Sequence, residues 1–118
     1  MIRSARIALG LSLAGLLSGC ASLITGGPLI RPGESVGAIA VINRTSHPIG
    51  VVMISACSAA SYGMNRLPEG VSIPSGRSYQ FQVSAGCWDV DAGAFGVGEA
   101  RKRMTVSAGG VTGYTVTN

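Results

Sequence analysis

From residue 36 onward the chain is a series of short apolar runs separated by turn-forming residues, and no stretch sustains a helical period for more than a turn or two. Val36 to Asn43 and Ile49 to Ser55 are two such runs joined by the polar segment Asn43-Arg44-Thr45-Ser46-His47-Pro48, a pattern that predicts a pair of antiparallel strands. Their weak alternation suggests burial on both sides for part of their length. Val71 to Ile73 is a short strand candidate. After the turn Pro74-Ser75-Gly76, the run Ser78 to Ser84 alternates cleanly and aims Tyr79, Phe81 and Val83 at a core. Cys87 to Ala92 puts Trp88, Val90 and Ala92 on one face and Cys87, Asp89 and Asp91 on the other. Gly93 to Gly98 reads as a flexible connection carrying one loosely packed aromatic, Phe95. Arg101 to Val106 and Val111 to Thr117 predict a closing hairpin through Ser107-Ala108-Gly109-Gly110. The best helical candidate, Ala59 to Leu67, offers a turn or two at most. Regular turn signals and 18 glycines point to an all-β fold, a small antiparallel β-sandwich of six or seven strands, with a small barrel as the alternative.

The first nineteen residues follow another logic. A basic start (Arg3, Arg6) precedes an apolar run from Ile7 to Leu17, which ends in Leu17-Ser18-Gly19-Cys20. As a helix, the uncharged run from Ile7 to Gly19 would rise only about 20 Å, against a hydrocarbon core of roughly 30 Å, so a retained transmembrane anchor is disfavoured. Leu-Ser-Gly-Cys resembles the lipobox of bacterial lipoproteins. That resemblance implies a diacylglyceryl group on the Cys20 thiol, removal of residues 1–19 as a signal peptide, and acylation of the new amino terminus. Three acyl chains hold a protein on a bilayer stably where one does not. Ala21 and Ser22, with no Asp after the cysteine, resemble the outer-membrane sorting pattern of such lipoproteins, which implies a domain facing the periplasm.

With the signal removed, Cys20 to Asn118 remain, 99 residues, enough for one small domain. Loss of Arg3 and Arg6 leaves seven basic against five acidic residues, so the formal charge falls from +4 to +2. Charge and compartment together argue against a nucleic-acid partner. Residues 20–35, broken by Gly26, Gly27, Pro28, Pro32 and Gly33, read as the lipidated cysteine and a flexible tether. The fifteen residues after the cysteine would span at most about 50 Å. Leu23, Ile24, Leu29 and Ile30 are apolar for a linker, so part of it is a candidate for packing on the membrane or on the domain. Residues 36–118 form the domain. Cys57 and Cys87 are the candidates for a disulfide in a compartment where such bonds persist.

Asn43-x-Thr45, Tyr62-Gly63-x-Asn65-x-Leu67, Ile73-Pro74-x-Gly76-x-Ser78 and Gly86-Cys87-Trp88-Asp89-Val90 together resemble small secreted or lipid-anchored β-sandwich domains of unassigned function. Those motifs are turn and core signals and imply no catalytic residues.

Side chains suited to chemistry are few. His47, the sole histidine, lies in a turn, and no Gly-x-Ser-x-Gly elbow is present. Asp89 and Asp91 share a strand face and are weak candidates for a hard cation with Glu99 as a third acid, against pairing with Arg101 and Arg103 across a hairpin. Cys57, Cys87 and His47 lack the close spacing of a zinc site. Arg101-Lys102-Arg103 suits anionic lipid headgroups, or equally the charge that keeps an edge strand from aggregating. Tyr62, Met64 and Arg66, with Arg101 and Arg103, form a possible interaction patch. The expectation is therefore a lipid-anchored, non-enzymatic envelope protein with no cofactor, held to the membrane through Cys20 and serving a binding or structural role with a possible envelope partner. The alternatives are an accessory subunit of a secretion or pilus assembly machine and, less favoured, a metal- or ligand-binding module.

Overall fold

The computed structural model describes residues 26–94 and 96–118. The lipobox and Phe95 lie outside the described residues. Six strands are formed: β1 (Val36–Arg44), β2 (Val51–Ala56), β3 (Ser78–Ser84), β4 (Gly86–Ala94), β5 (Gly98–Val106) and β6 (Val111–Thr117). They build two three-stranded sheets, ordered β3-β1-β6 and β2-β4-β5, packed as a small β-sandwich. For orientation, the end where β1 begins is called the lower end and the end where it finishes the upper.

Alternation decides what is inside. Ile39 and Val41 of β1, Val52 and Ile54 of β2, and Trp88, Val90 and Ala92 of β4 are fully buried, and Phe81, Val83, Met104, Val106, Tyr114 and Val116 close the same core. Tyr79 is half-buried against it, with its ring 4.8 Å from that of Phe81. The inward faces of β3 and β4 are those the sequence predicts. Burial of each such large apolar side chain contributes about 1.5–3 kcal/mol. Trp88 also donates its indole N–H to the Ser84 carbonyl at 2.8 Å, so the one polar atom of the ring is satisfied inside.

The connections differ from those the sequence predicts. β1 and β2 do not pair; the segment between them is an arch from one sheet to the other. Asn43, fully buried, holds it: Nδ2 donates to the carbonyls of His47 and Ile73, both at 2.8 Å, and Oδ1 accepts from the Thr45 N–H and hydroxyl. β5 and β6 likewise lie in different sheets, and residues 107–110 cross beneath the start of β1. Ala38 N–H donates to the Gly110 carbonyl and Gly109 N–H to the Val36 carbonyl, each at 2.9 Å. Gly37 makes this crossing possible, because a Cβ there would run into the Ser107 carbonyl and the Val106 side chain. Having crossed, β6 rises beside β1 in parallel, so the sandwich is mixed rather than wholly antiparallel. Among the described residues, only β4 and β5 form a hairpin between neighbours in one sheet.

Residues 57–77 climb back to the upper end without helix. They run along the free edge of β2, touching it through isolated bridges at Met53–Asn65 and Ile49–Ile73. The run Val71 to Ile73 thus contributes one bridge rather than a strand. Leu67 and Ile73 from this segment are buried in the core.

From Gly26 the predicted tether is docked. Ser84 N–H donates to the Leu29 carbonyl at 2.8 Å, Arg31 N–H to the Ser84 hydroxyl at 2.7 Å, and Ala85 N–H to the Ser35 carbonyl at 2.7 Å. The Arg31 guanidinium lies 4.8 Å from the centre of the Trp88 ring and pairs with Glu34 at 2.7 Å. Gly26 is buried with φ +83° against Ser55 and the Tyr62 carbonyl, where a Cβ would sit 2.9 Å from that of Ser55. Leu29 packs on the core, whereas Ile30 stays 48 % exposed.

Candidate functional site

The chemistry-bearing side chains collect on the outer face of the β2-β4-β5 sheet. Because β4 turns Trp88, Val90 and Ala92 inward, its alternate residues Cys87, Asp89 and Asp91 face out, and the antiparallel register sets Asp89 opposite Arg103 and Asp91 opposite Arg101. Arg103 grips Asp89 with two parallel bonds, Nε to Oδ1 at 2.9 Å and Nη2 to Oδ2 at 3.0 Å. Arg101 bridges two acids, Nε to Asp91 Oδ2 at 3.0 Å and Nη2 to Glu99 Oε1 at 2.9 Å. Asp91 is only 1 % exposed whereas Arg101 is 54 % exposed, so the ladder joins a sequestered carboxylate to a solvated guanidinium.

The ionisation of these groups follows from that geometry. A hydrogen bond to Asp91, reinforced by its charge and by desolvation, raises the Glu99 carboxyl above the ordinary glutamate range; Arg101 opposes this without cancelling it. The hydrogen bond to Asp91 raises Arg101, and that to Asp89 raises Arg103. On the opposite side of the core, burial raises the Tyr114 phenol.

The 57–67 segment folds onto this face. The Tyr62 ring lies 4.9 Å from the Arg101 guanidinium carbon. Arg66 points the other way: Nε and Nη2 donate to the Ile54 carbonyl at 3.2 and 2.9 Å, and Nη2 also reaches the Gly27 carbonyl at 2.6 Å. Burial lowers its pKa from the ordinary arginine value. Between them Asn65 acts as a backbone clamp, its Oδ1 accepting from Val52 and Leu67 N–H and its Nδ2 donating to the Gly50 carbonyl. Met64 is 54 % exposed.

Cys57 and Cys87 form a disulfide, Cα–Cα 5.5 Å, closing a loop of 30 residues. In the chain-entropy account such a loop stabilises by roughly 3–4 kcal/mol. The bond lies at the lower end, one register step beyond the Ala56–Trp88 pair, and Cys87 is exposed rather than turned into the core. Both thiols are thereby consumed, which removes the Cys57, Cys87 and His47 zinc possibility.

The sequence-named residues therefore divide. Tyr62, Arg101, Arg103, Asp89, Asp91 and Glu99 are brought together, whereas the Arg66 guanidinium is engaged with the Ile54 and Gly27 carbonyls. Two arginines stand among three acids on this face, and each is ion-paired. His47 is exposed on the upper arch with Nδ1 3.1 Å from the Ser46 hydroxyl, and it lines one cavity together with Glu99. Among the described residues, no group of three or more His, Cys, Asp or Glu side chains is placed to hold a metal ion. Sequence reasoning missed Arg31 and the clamp role of Asn65; the only local sign of the former is its position five residues before β1 in Arg-Pro-Gly-Glu.

Two concavities flank the β4–β5 hairpin. One, about 220 Å³, opens at the upper end between the arch and the hairpin and is lined by His47, Pro48, Ile49, Ala92, Val97 and Val116 among others. The second, about 180 Å³, lies on the outer face beside Met53, Asp91 and Glu99. No protein-family model matches the chain, and no curated protein or solved structure matches it either. Fold and site together define a small disulfide-bonded β-sandwich whose polar side chains bind backbone groups and one another.

Proposed function

We propose that this chain is a lipid-anchored protein of the bacterial cell envelope, joined to the outer membrane through Cys20, whose domain acts by binding or by structure rather than by catalysis. The observation that carries the reading is Leu17-Ser18-Gly19-Cys20 at the end of a short apolar run with a basic start. Two further features support it. The disulfide suits an oxidising compartment, and the acids and arginines of the richest polar face are occupied with each other, which leaves little for general acid–base work. Cys20→Ser tests the reading directly. Growth with radioactive palmitate should label the native protein and not the variant, which should accumulate as an uncleaved precursor; equal labelling of both would refute the assignment.

A further inference from the structure

The two ends of the sandwich differ in chemistry. At the lower end the connections are Cys57-Ser58-Ala59-Ala60-Ser61, Ser84-Ala85-Gly86 and Ser107-Ala108-Gly109-Gly110, all uncharged. Among the described residues the charges below the Ala56–Trp88 rung are Arg31 and Glu34, which neutralise each other at 2.7 Å, and the Asp89–Arg103 pair lies one rung higher, level with Ser55. The upper end carries Arg44, His47, Glu69, Arg77 and Glu99.

Of the exposed large apolar side chains, Met64, Val71 and Val97 lie away from the lower end, Val97 in the β4–β5 turn and Val71 close to the Ile49–Ile73 bridge. Ile30, Val36 and Val111, 48, 38 and 59 % exposed, all lie at the lower end. They lie along one line: Arg31 N–H meets the Ser84 hydroxyl, Ser84 pairs in register with Val36, and the Val36 carbonyl accepts from Gly109, two residues before Val111. This is an apolar rim along the lower edge of the β3-β1-β6 sheet. A rim of this kind suits an interface with lipid headgroups, where apolar side chains gain and unpaired charge is absent.

The described chain also begins near that end. Gly26 sits against Ser55, next to the last residue of β2, and Arg66 fixes the Gly27 carbonyl at 2.6 Å. Six residue steps separate Gly26 from Cys20, and they span no more than about 20 Å. A nine-residue strand is about 30 Å long, so the lower end is within reach of the bilayer when the upper end is not.

We infer that the lower end is a membrane-contact surface: Ile30, Val36, Val111 and the 107–110 turn rest on the bilayer, and the domain stands with the charged arch and hairpin tip displayed away from it. This rests on the anchoring at Cys20 proposed above. The experiment uses the mature lipidated protein in lipid nanodiscs doped with a gadolinium-chelating lipid, read by amide NMR. Amides of Ile30, Val36 and Ala108 to Val111 should broaden at least several-fold more than those of Ser46, His47, Val71 and Val97. Ile30→Lys combined with Val111→Lys, both at exposed positions, should erase that contrast while leaving the rest of the spectrum unchanged. Equal broadening at both ends, or stronger broadening at the upper end, would overturn the inference. Intact mass of the same sample distinguishes the two levels. A protein without acyl chains on Cys20 removes the anchor reading and this inference with it, whereas an acylated protein with no contrast removes this inference alone.

Discussion

The two outer faces of the sandwich are made by different means. The β2-β4-β5 sheet carries a disulfide, two ion-paired rungs and a ring stacked on a guanidinium, under a loop clamped by Asn65 and Arg66. The β3-β1-β6 sheet turns out Ala38, Ala40 and Ile42 from its centre, Ser78, Gln80 and Gln82 from one edge and Val111, Gly113, Thr115 and Thr117 from the other. Apart from Arg44 at the upper end, that face is uncharged. Both sheets bury apolar side chains in the shared core, although Lys102, at an inward register position of β5, is exposed. What differs is where each sheet obtains support beyond the core. Each has a central strand bonded on both sides, and the outer residues of the β3-β1-β6 sheet are uncharged apart from Arg44. The other has a short edge strand, β2, and secures it with a covalent bond and side-chain-to-backbone clamps.

The sharpest way to break this comparison is to remove the covalent support. Cys57→Ala with Cys87→Ala should lower stability by roughly 3–4 kcal/mol in denaturant unfolding; a loss below about 1 kcal/mol would mean that the clamps alone secure β2. Asp91→Ala should cost about 1–3 kcal/mol, because a sequestered carboxylate and its bond to Arg101 are both lost. Gln80→Ala on the opposite face should stay within about 0.5 kcal/mol. Equal effects at the two positions would erase the distinction between the faces. The smallest effect is a titration. Glu99 has its folded pKa raised chiefly by the hydrogen bond to Asp91, so its contribution to stability is present below the ordinary glutamate value and is lost as pH rises through the raised one. Carbon NMR of the Glu99 carboxyl should show the elevated midpoint, and Asp91→Asn should bring it down towards the ordinary range.

Much of the strand content was legible in the chain, for a physical reason. Period-two alternation reports which side chains turn inward, and Phe81, Val83, Trp88, Val90 and Ala92 lie where that pattern puts them. The same pattern is silent on whether the next strand lies beside the last or across the core. Val36 to Asn43 and Ile49 to Ser55 read equally well as a hairpin or as the two legs of an arch. What selects the arch is Asn43 bonded to Ile73, thirty residues away. The β5 to β6 crossing depends on Gly37, seventy residues before it in sequence and unmarked locally. At the polar face, the i, i+2 spacing of Asp89 and Asp91 correctly placed both on one side, and pairing with Arg103 and Arg101 was one of the two readings open. The near-complete burial of Asp91 was not legible, since it requires residues from other strands and loops to meet over it. For residues 26–35, packing on the domain was one of two readings that Leu29 and Ile30 left open, and the partners were not legible for the same reason: Arg31, Ser84 and Trp88 are neighbours only once the sheets have closed.

The scarcity of same-sheet hairpins has a kinetic consequence. Of the four strand pairings only β4–β5 joins segments adjacent in the chain; the others bring together β1 with β3, β1 with β6, and β2 with β4. Each must close a long loop before its bonds repay the lost entropy, which sets the folding of such topologies on the millisecond-to-second scale. The Cys57–Cys87 bond ties the end of β2 to the start of β4. Once oxidised, the chain begins its search with one of those three distant partnerships already held together.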